Sequence, residues 1–547
     1  MTPLSPTGHL DTFARDHLPA PELWPTLEFT TELLDYPERL NAGAELIDAA
    51  VVTYGPDRPA LRTPDGTVWT YGELLARANR IAHVLVDDLG LVPGNRVLLR
   101  SPNNPWTVAA WLGVLKAGGI VVTTMAALRT AELTPIVAKT RPAVALVDHR
   151  FVDDVVAVRD AGAPDLIVVA YGGPDADDLT RRIEDKPAEF AAVDTAADDV
   201  ALFGPTSGTT GVPKVTTHFH RDILSIDNTF GRTTLRLVPD DVVACTAPFA
   251  FTFGLGMLVV FTLRAGACAF LTEAAAPAEL ADLVAEHGVT VLATAPTAYK
   301  QILKAGKVDR LAGLRTVVTA GEHMAQSTWG QLHDALGIKP IDGIGATEML
   351  HIFISAAGDD IRPGATGRPV PGYRATILDA DGNEVGPGIE GRLAVIGPVG
   401  CRYLDDDRQR GYVINGWNVT GDTFLRDPDG YFWYCSRTDD MIVSSGYNIG
   451  GAEVEAALDL HEDVVESAVV GEPDPERGAI VCAFVVLRDG VEPSLAKATE
   501  LQDHVKGHLA PYKYPRDVRF VDALPRNISG KLQHFKLRQI IEAEDRA

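Results

Sequence analysis

At 547 residues the chain exceeds what one hydrophobic core sustains, so more than one domain is expected. Its 46% hydrophobic and 22% charged residues are those of a globular protein and exclude wholesale disorder. Forty-nine basic against 74 acidic residues leave a net charge of -25, which disfavours nucleic acid and anionic membranes as partners. Any cation that meets an anionic ligand must therefore be local.

The five cysteines, Cys245, Cys268, Cys401, Cys435 and Cys482, are too scattered for a disulfide framework or a zinc ribbon. They read as buried thiols of a cytoplasmic protein. The first thirty residues carry Asp11, Asp16, Glu22 and Glu28 without the apolar run of a signal peptide. The most hydrophobic stretches, 108–122 and 254–271, are broken by Lys116 and Arg264, short of a membrane span.

In chain order, residues 70–88 place apolar side chains at helical spacing, with Thr70 as N-cap and Glu73 three residues on. A strand is expected at 96–100, then a helix at 106–117, a strand at 119–123, a helix at 131–140 and a strand at 143–147. The alternation resumes with a helix at 275–286, a strand at 289–293, a helix at 296–305 and a strand at 315–319. Such alternation argues for parallel α/β layers, here as two similar subdomains. After Arg362, turn signals at 379–383, 387–388 and 427–430 separate short strands and predict a small antiparallel β subdomain. Beyond Arg437 the pattern is α+β: a helix at 452–460, strands at 466–470 and 479–487, and a helix at 497–508. The fold class is α/β, with a large N-terminal domain over 1–438 and a small C-terminal domain over 439–547.

The most informative stretch runs from Thr206 to Lys214, with Ser207, Gly208, Thr209, Thr210 and Gly211 between. Glycines let backbone N–H groups approach an anion, hydroxyls donate to its oxygens, and Lys214 supplies compensating charge. It is not a Walker A loop, because Lys214 follows Pro213 and Val215 stands where a Mg²⁺-binding hydroxyl would be. A bare Ser/Thr/Gly surface turn has the same composition.

The string resembles the phosphate-binding loop of the adenylate-forming superfamily, which includes acyl- and aryl-CoA synthetases, adenylation domains and firefly-type luciferases. Further elements resemble that family's motifs in its order: Gly345–Glu348 (GATE), Thr420–Asp422 (TGD), Ser436–Asp440 (SRTDD) and Pro525–Lys531 (PRNISGK). The resemblance implies ATP, Mg²⁺ and CoA as co-substrates and cofactors, and a mobile C-terminal domain. Lys531, Thr347 and Glu348 are then catalytic, with Glu348 the Mg²⁺ ligand, since that hard cation takes oxygen donors. Thr206, Ser207, Gly208, Thr209, Thr210, Lys214, Gly321, Glu322, Asp422 and Arg437 are the expected nucleotide-binding set. Asp439 is the expected hinge, and Ser445 with Gly446 the expected lining of the CoA tunnel.

The stretch 215–222 (VTTHFHRD), with 343–353 (GIGATEMLHIF), resembles the benzoate-CoA ligase branch, nearest to ligases of 2-aminobenzoate and salicylate. Two departures from the wider superfamily stand out. Phe251 occupies a place that often holds a His, and Ile344 replaces a Tyr. Phe251, Thr252, Phe253, Gly345 and His351 are the expected substrate residues, although the Phe cluster reads equally as core packing and His351 equally as a core histidine. His218 and His220 are taken as structural. The expected function is an ATP-dependent aryl-CoA ligase forming an acyl-adenylate and then the thioester. The alternatives are an enzyme that loads a carrier protein and a non-catalytic adenylate-binding protein. The expected assembly is a homodimer.

Overall fold

The computed structural model describes residues 4–206, 213–321, 324, 326–379, 381–437, 441–525 and 534–544. Contacts group them into two compact units. The larger is formed by residues up to Ser436 apart from 127–136 and Pro213, and the smaller centres on residues from 441 onward.

Two sheets make up most of the larger unit. The first orders its six strands Ile167–Tyr171, Val144–Asp148, Arg96–Arg100, Ile120–Thr124, Val200–Thr206 and Lys214–Phe219. The first five pair in parallel, and the last folds back antiparallel on Val200–Thr206. Arg96–Arg100, Ile120–Thr124 and Val144–Asp148 are buried along their whole length, as strands covered on both faces must be. The helix Tyr71–His83 begins where the sequence predicts, with the Thr70 hydroxyl and Glu73 carboxylate exchanging hydrogen bonds with each other's backbone N–H.

The second sheet has nine strands. Its parallel centre runs Ile341–Gly345, Thr316–Ala320, Val291–Thr294, Val242–Cys245, Cys268–Phe270 and Pro59–Arg62. Antiparallel strands flank it: Val68–Thr70 at one edge, Ile352–Ser355 and Arg368–Pro369 at the other. The expected pair of α/β subdomains is thus present, and element ends differ from the sequence reading by only a few residues. A third, smaller sheet pairs Arg374–Leu378, Gly391–Ile396, Trp417–Arg426 and Val413–Ile414 antiparallel, with Phe432–Arg437 added alongside Trp417–Arg426.

The smaller unit has its own core around Ile449, Val454, Val481, Ala483, Leu501 and Val505. The long strands Val464–Asp474 and Gly478–Leu487 pair antiparallel, and the helices Gly451–Leu458 and Leu495–His508 bring Val454, Leu501 and Val505 to that core. Among the described residues no helix is long and apolar enough to cross a membrane. Cys245, Cys268, Cys401 and Cys482 are buried with free thiols.

Candidate active site

In a parallel sheet the carboxyl ends of the strands converge on one edge, which is where open α/β sheets bind ligands. Three predicted elements follow such ends in the nine-stranded sheet. Gly321, at φ +88°, follows Thr316–Ala320; the turn Thr347–Met349 follows Ile341–Gly345; and Phe251–Phe253 follow Val242–Cys245. The order of the strands places these elements along one edge. Gly345 has a structural reason to be glycine. The register shifts there, and a Cβ would lie 2.8 Å from the His351 backbone.

The six-stranded sheet contributes a hairpin. Thr206 pairs with Lys214, Gly204 with Thr216, and Leu202 with His218. Thr206 Oγ1 is buried with no hydrogen-bond partner among the described residues. Ser207, Gly208, Thr209 and Thr210 lie outside the described residues, as do Glu322, Asp439 and Lys531.

The returning strand Lys214–Phe219 meets the 347–349 turn. Lys214 Nζ lies 3.8 Å from Glu348 Oε1 and 5.1 Å from the centre of the Tyr403 ring. The Tyr403 phenol donates to the same Glu348 oxygen. Burial, reinforced by the Glu348 carboxylate, pushes that phenol well above its usual range, so it remains a donor. Two residues along, Thr216 Oγ1 donates to the Gly204 carbonyl at 3.2 Å. Two further, His218 Nε2 lies 2.8 Å from the Thr347 carbonyl. Gly204 itself is tightly enclosed, because a Cβ there would come within 2.9 Å of Thr347 Cγ2.

The second group is aromatic. His351 is 2% exposed, with ring centres of Phe261, Phe230 and Phe253 at 4.7, 5.3 and 5.7 Å. Burial lowers its pKa to about 3, so it is neutral. Neither ring nitrogen has a hydrogen bond of good geometry among the described residues, although the Phe253 backbone interacts with the ring. A neutral imidazole carries one donor and one acceptor, and leaving both unused in an apolar wall is costly. Phe251 and Thr252 open the short helix Thr252–Leu255 beside this wall.

Asp422 lies half-buried within Trp417–Arg426, its backbone N–H donating to Thr420 Oγ1 at 3.2 Å. Arg437 ends the strand Phe432–Arg437. In the smaller unit Ser445, at φ +50°, and Gly446, at φ +80°, form the two-residue turn between Met441–Ser444 and Tyr447–Gly450. Two left-handed residues are what such a hairpin needs. Arg477 donates to Ser445 Oγ at 3.1 Å.

Sequence reasoning misses Tyr403, Phe230 and Phe261, which are distant in the chain and carry no local motif. It also misses Asp342, whose carboxyl is pushed up to about 7 by burial and whose Oδ1 has no partner among the described residues. That residue does carry a signal: a lone charge in the otherwise apolar strand Ile341–Gly345.

The family model of the AMP-binding enzyme matches residues 48–403, and that of the AMP-binding enzyme C-terminal domain matches 453–531. The chain is 34% identical to a benzoate–CoA ligase of Thauera aromatica, over 93% of this chain and 98% of that protein. It is 30% identical to a 3-hydroxybenzoate–CoA ligase of Aromatoleum sp. (strain CIB), over 92% and 97%. Among solved structures it is similar to the anthranilate CoA ligase AuaEII in complex with anthranoyl-AMP, with TM-score 0.73 and 31% identity over 94% of this chain and 100% of that one.

Proposed function

Because the chain belongs to the AMP-binding enzyme family and is an acid–thiol ligase using ATP and CoA, we propose that its acid is an ortho-substituted benzoate such as 2-aminobenzoate or salicylate. The observation that carries this reading is His351, a buried neutral imidazole with neither nitrogen well bonded among the described residues, inside a wall of three phenyl rings. A flat aromatic acid supplies the stacking surface, and a ring amino or hydroxyl group supplies the missing hydrogen bond. The solved anthranilate CoA ligase, a 2-aminobenzoate enzyme by its description, supports the same choice.

The reaction proceeds in two steps. A carboxylate oxygen of the acid attacks the α-phosphorus of ATP, the bond to the β-phosphate oxygen breaks, and an acyl-adenylate and pyrophosphate result. The CoA thiol then gives its proton to solvent, its sulfur attacks the acyl carbon, the bond from that carbon to the phosphate oxygen breaks, and AMP leaves. The first step needs no general base, since a benzoate is ionised at neutral pH. It brings anion to anion, so the chain must supply positive charge and donors. Lys214 and the 206–214 loop meet the phosphates, Thr347 donates to the α-phosphate, and Asp422, with Arg437, accepts from the ribose hydroxyls. Glu348 suits Mg²⁺, because that ion is commonly held by one or two carboxylates plus substrate phosphates, and it would neutralise phosphate charge there. Lys531 is assigned the bridge between the substrate carboxylate and the phosphate.

We assign the domain boundary to 438/439, with Asp439 as hinge. Ser445 and Gly446 are assigned to the pantetheine path, where a glycine lets a ligand pass close to the backbone. The two-domain arrangement predicts that Lys531→Ala abolishes AMP formation while a supplied aryl-adenylate is still converted to thioester.

The test is AMP formation with ATP, Mg²⁺ and benzoate, 2-aminobenzoate, salicylate, 4-hydroxybenzoate or acetate, with and without CoA. Turnover greatest with the ortho-substituted acids and dependent on CoA is expected. Preference for benzoate or acetate would overturn the substrate assignment. Adenylate without thioester, together with loading of a carrier protein, would replace CoA by that acceptor.

A further inference from the structure

We propose that His218 is a positioning residue for the first chemical step: its Nε2–H clamps the Thr347 carbonyl and thereby aims the Thr347 hydroxyl and Glu348 carboxylate at the phosphates. The proposal rests on the reading of Thr347 and Glu348 given above.

Side chains alternate faces along a strand, so residues 214, 216 and 218 share one face of Lys214–Phe219. All three engage the same region. Lys214 faces Glu348 at 3.8 Å, Thr216 bonds Gly204, and His218 bonds Thr347. The strand is held on both sides, by Val200–Thr206 along one edge and along the other by Arg402 and Leu404. There Thr217 N–H donates to the Arg402 carbonyl at 2.8 Å and Leu404 N–H to the Val215 carbonyl at 2.9 Å. It therefore forms a fixed platform beneath a turn of only three residues, Thr347–Met349, which ends at Leu350 with φ +65°. Within the turn the Thr347 carbonyl accepts from Leu350 N–H at 3.1 Å, and the histidine adds a second bond to that carbonyl from outside it.

The tautomer follows from the partner. A carbonyl only accepts, so the nitrogen 2.8 Å from it must carry hydrogen. Full burial keeps the ring neutral, as its lowered pKa of about 4 agrees. Its other face is set by a buried charged pair. Arg402 bonds Asp222 and stacks on Phe219 at 3.9 Å, while Asp222 Oδ2 also accepts from Phe219 N–H at 3.0 Å and lies 3.9 Å from His218 Nδ1. The ring thereby lies between a fully buried ion pair and the 347–349 turn. A plain core histidine would not need this bond to the one carbonyl between two functional side chains.

The experiment compares wild type with His218→Phe, His218→Gln and His218→Asn in pyrophosphate-dependent exchange and steady-state AMP formation, alongside thermal melting. Gln reaches with an amide N–H about as far as Nε2; Asn does not, and Phe has no donor. Expected is a fall in kcat of about 30- to 100-fold for Phe and Asn, the scale of a misplaced reacting group, with KM for the aromatic acid within about threefold. Gln should recover to within about fivefold of wild type. Melting temperatures should not follow that order. If Phe does not fold, the Gln and Asn pair carries the comparison. Wild-type kcat in Phe or Asn, or equal loss in Gln and Asn, overturns the proposal. A wild type that forms no AMP with any aromatic acid refutes the functional reading instead, independently of every variant.

Discussion

The polar platform of Lys214, Thr216 and His218 and the aromatic wall around His351 lie in the same unit and differ in how far the protein itself bonds their polar side chains. On the platform each of these side chains has a partner, Lys214 and Tyr403 with Glu348, His218 Nε2 with Thr347, Arg402 with Asp222, although His218 Nδ1 and Arg402 Nε and Nη1 have no hydrogen-bond partner among the described residues. In the wall a buried imidazole has neither nitrogen well bonded among the described residues. In the proposed function, the groups that serve every substrate alike are those the protein itself bonds, because preorganised dipoles need no rearrangement at the moment of reaction. In the same proposal His351 is the group left for the ligand to complete, so that a wrong ligand leaves it unpaired.

Substitutions on the two sides should therefore fail differently. The largest effect is expected for Glu348→Gln, which removes the carboxylate that Lys214 and Tyr403 hold. AMP formation should fall about 100- to 1000-fold, by the same factor for every acid tested. A loss that varies between acids would merge the two regions. Next comes His351→Phe, which fills the wall without a donor or acceptor. It should cost about 10- to 100-fold in kcat/KM for 2-aminobenzoate or salicylate, the scale of one buried hydrogen bond, and much less for benzoate. Equal losses would return His351 to plain core packing.

A matched pair of glycine substitutions sharpens the contrast. A Cβ at Gly204 would lie 2.6 Å from Thr216 Oγ1 and 2.9 Å from Thr347 Cγ2; one at Gly256 would overlap the His351 ring, with Nε2 at 2.6 Å. Gly204→Ala should lower kcat for all acids about tenfold, whereas Gly256→Ala should change their ranking by a similar factor, through displacement of the groups each glycine touches. Parallel kinetics on the acid panel reads both.

The smallest effect at neutral pH concerns His220, next to the platform but outside its chemistry. Its Nδ1 accepts from Ala42 N–H at 3.0 Å, and burial lowers its pKa to about 3. The unfolded chain takes up a proton near pH 6.5 while the folded chain does not. Stability present above that pH is therefore lost as pH falls from about 6.5 toward 3, by about 1.4 kcal/mol per pH unit. His220→Asn, whose carbonyl oxygen can still accept from Ala42, should flatten that slope in denaturant titrations at pH 5 and 7. An unchanged slope would show that other groups carry the acid sensitivity.

Much of this arrangement is legible in short stretches of sequence. The helix at Tyr71 announces itself by Thr70 and Glu73, the sheet strands by runs such as Val97–Leu99, and the phosphate loop by its glycines and hydroxyls. These are local signals: a cap, a period or a turn is written in adjacent residues. Lys214, Thr347 and Glu348 stand out in the same way, through contiguous motifs. His218 reads as structural because a histidine in a strand announces no partner, and its partner lies 129 residues away.

What the amino-acid sequence determined by itself was the α/β layering, the phosphate loop and the identities of the motif residues, since each depends on spacing of a few residues. That Tyr403 bonds Glu348, that Phe230, Phe253 and Phe261 surround His351, and that residues 214, 216 and 218 lie against the 347–349 turn is fixed only by the folded chain. Such contacts join strands, helices and turns far apart in the chain, and which distant side chains pack together depends on the whole core closing around them rather than on any local pattern.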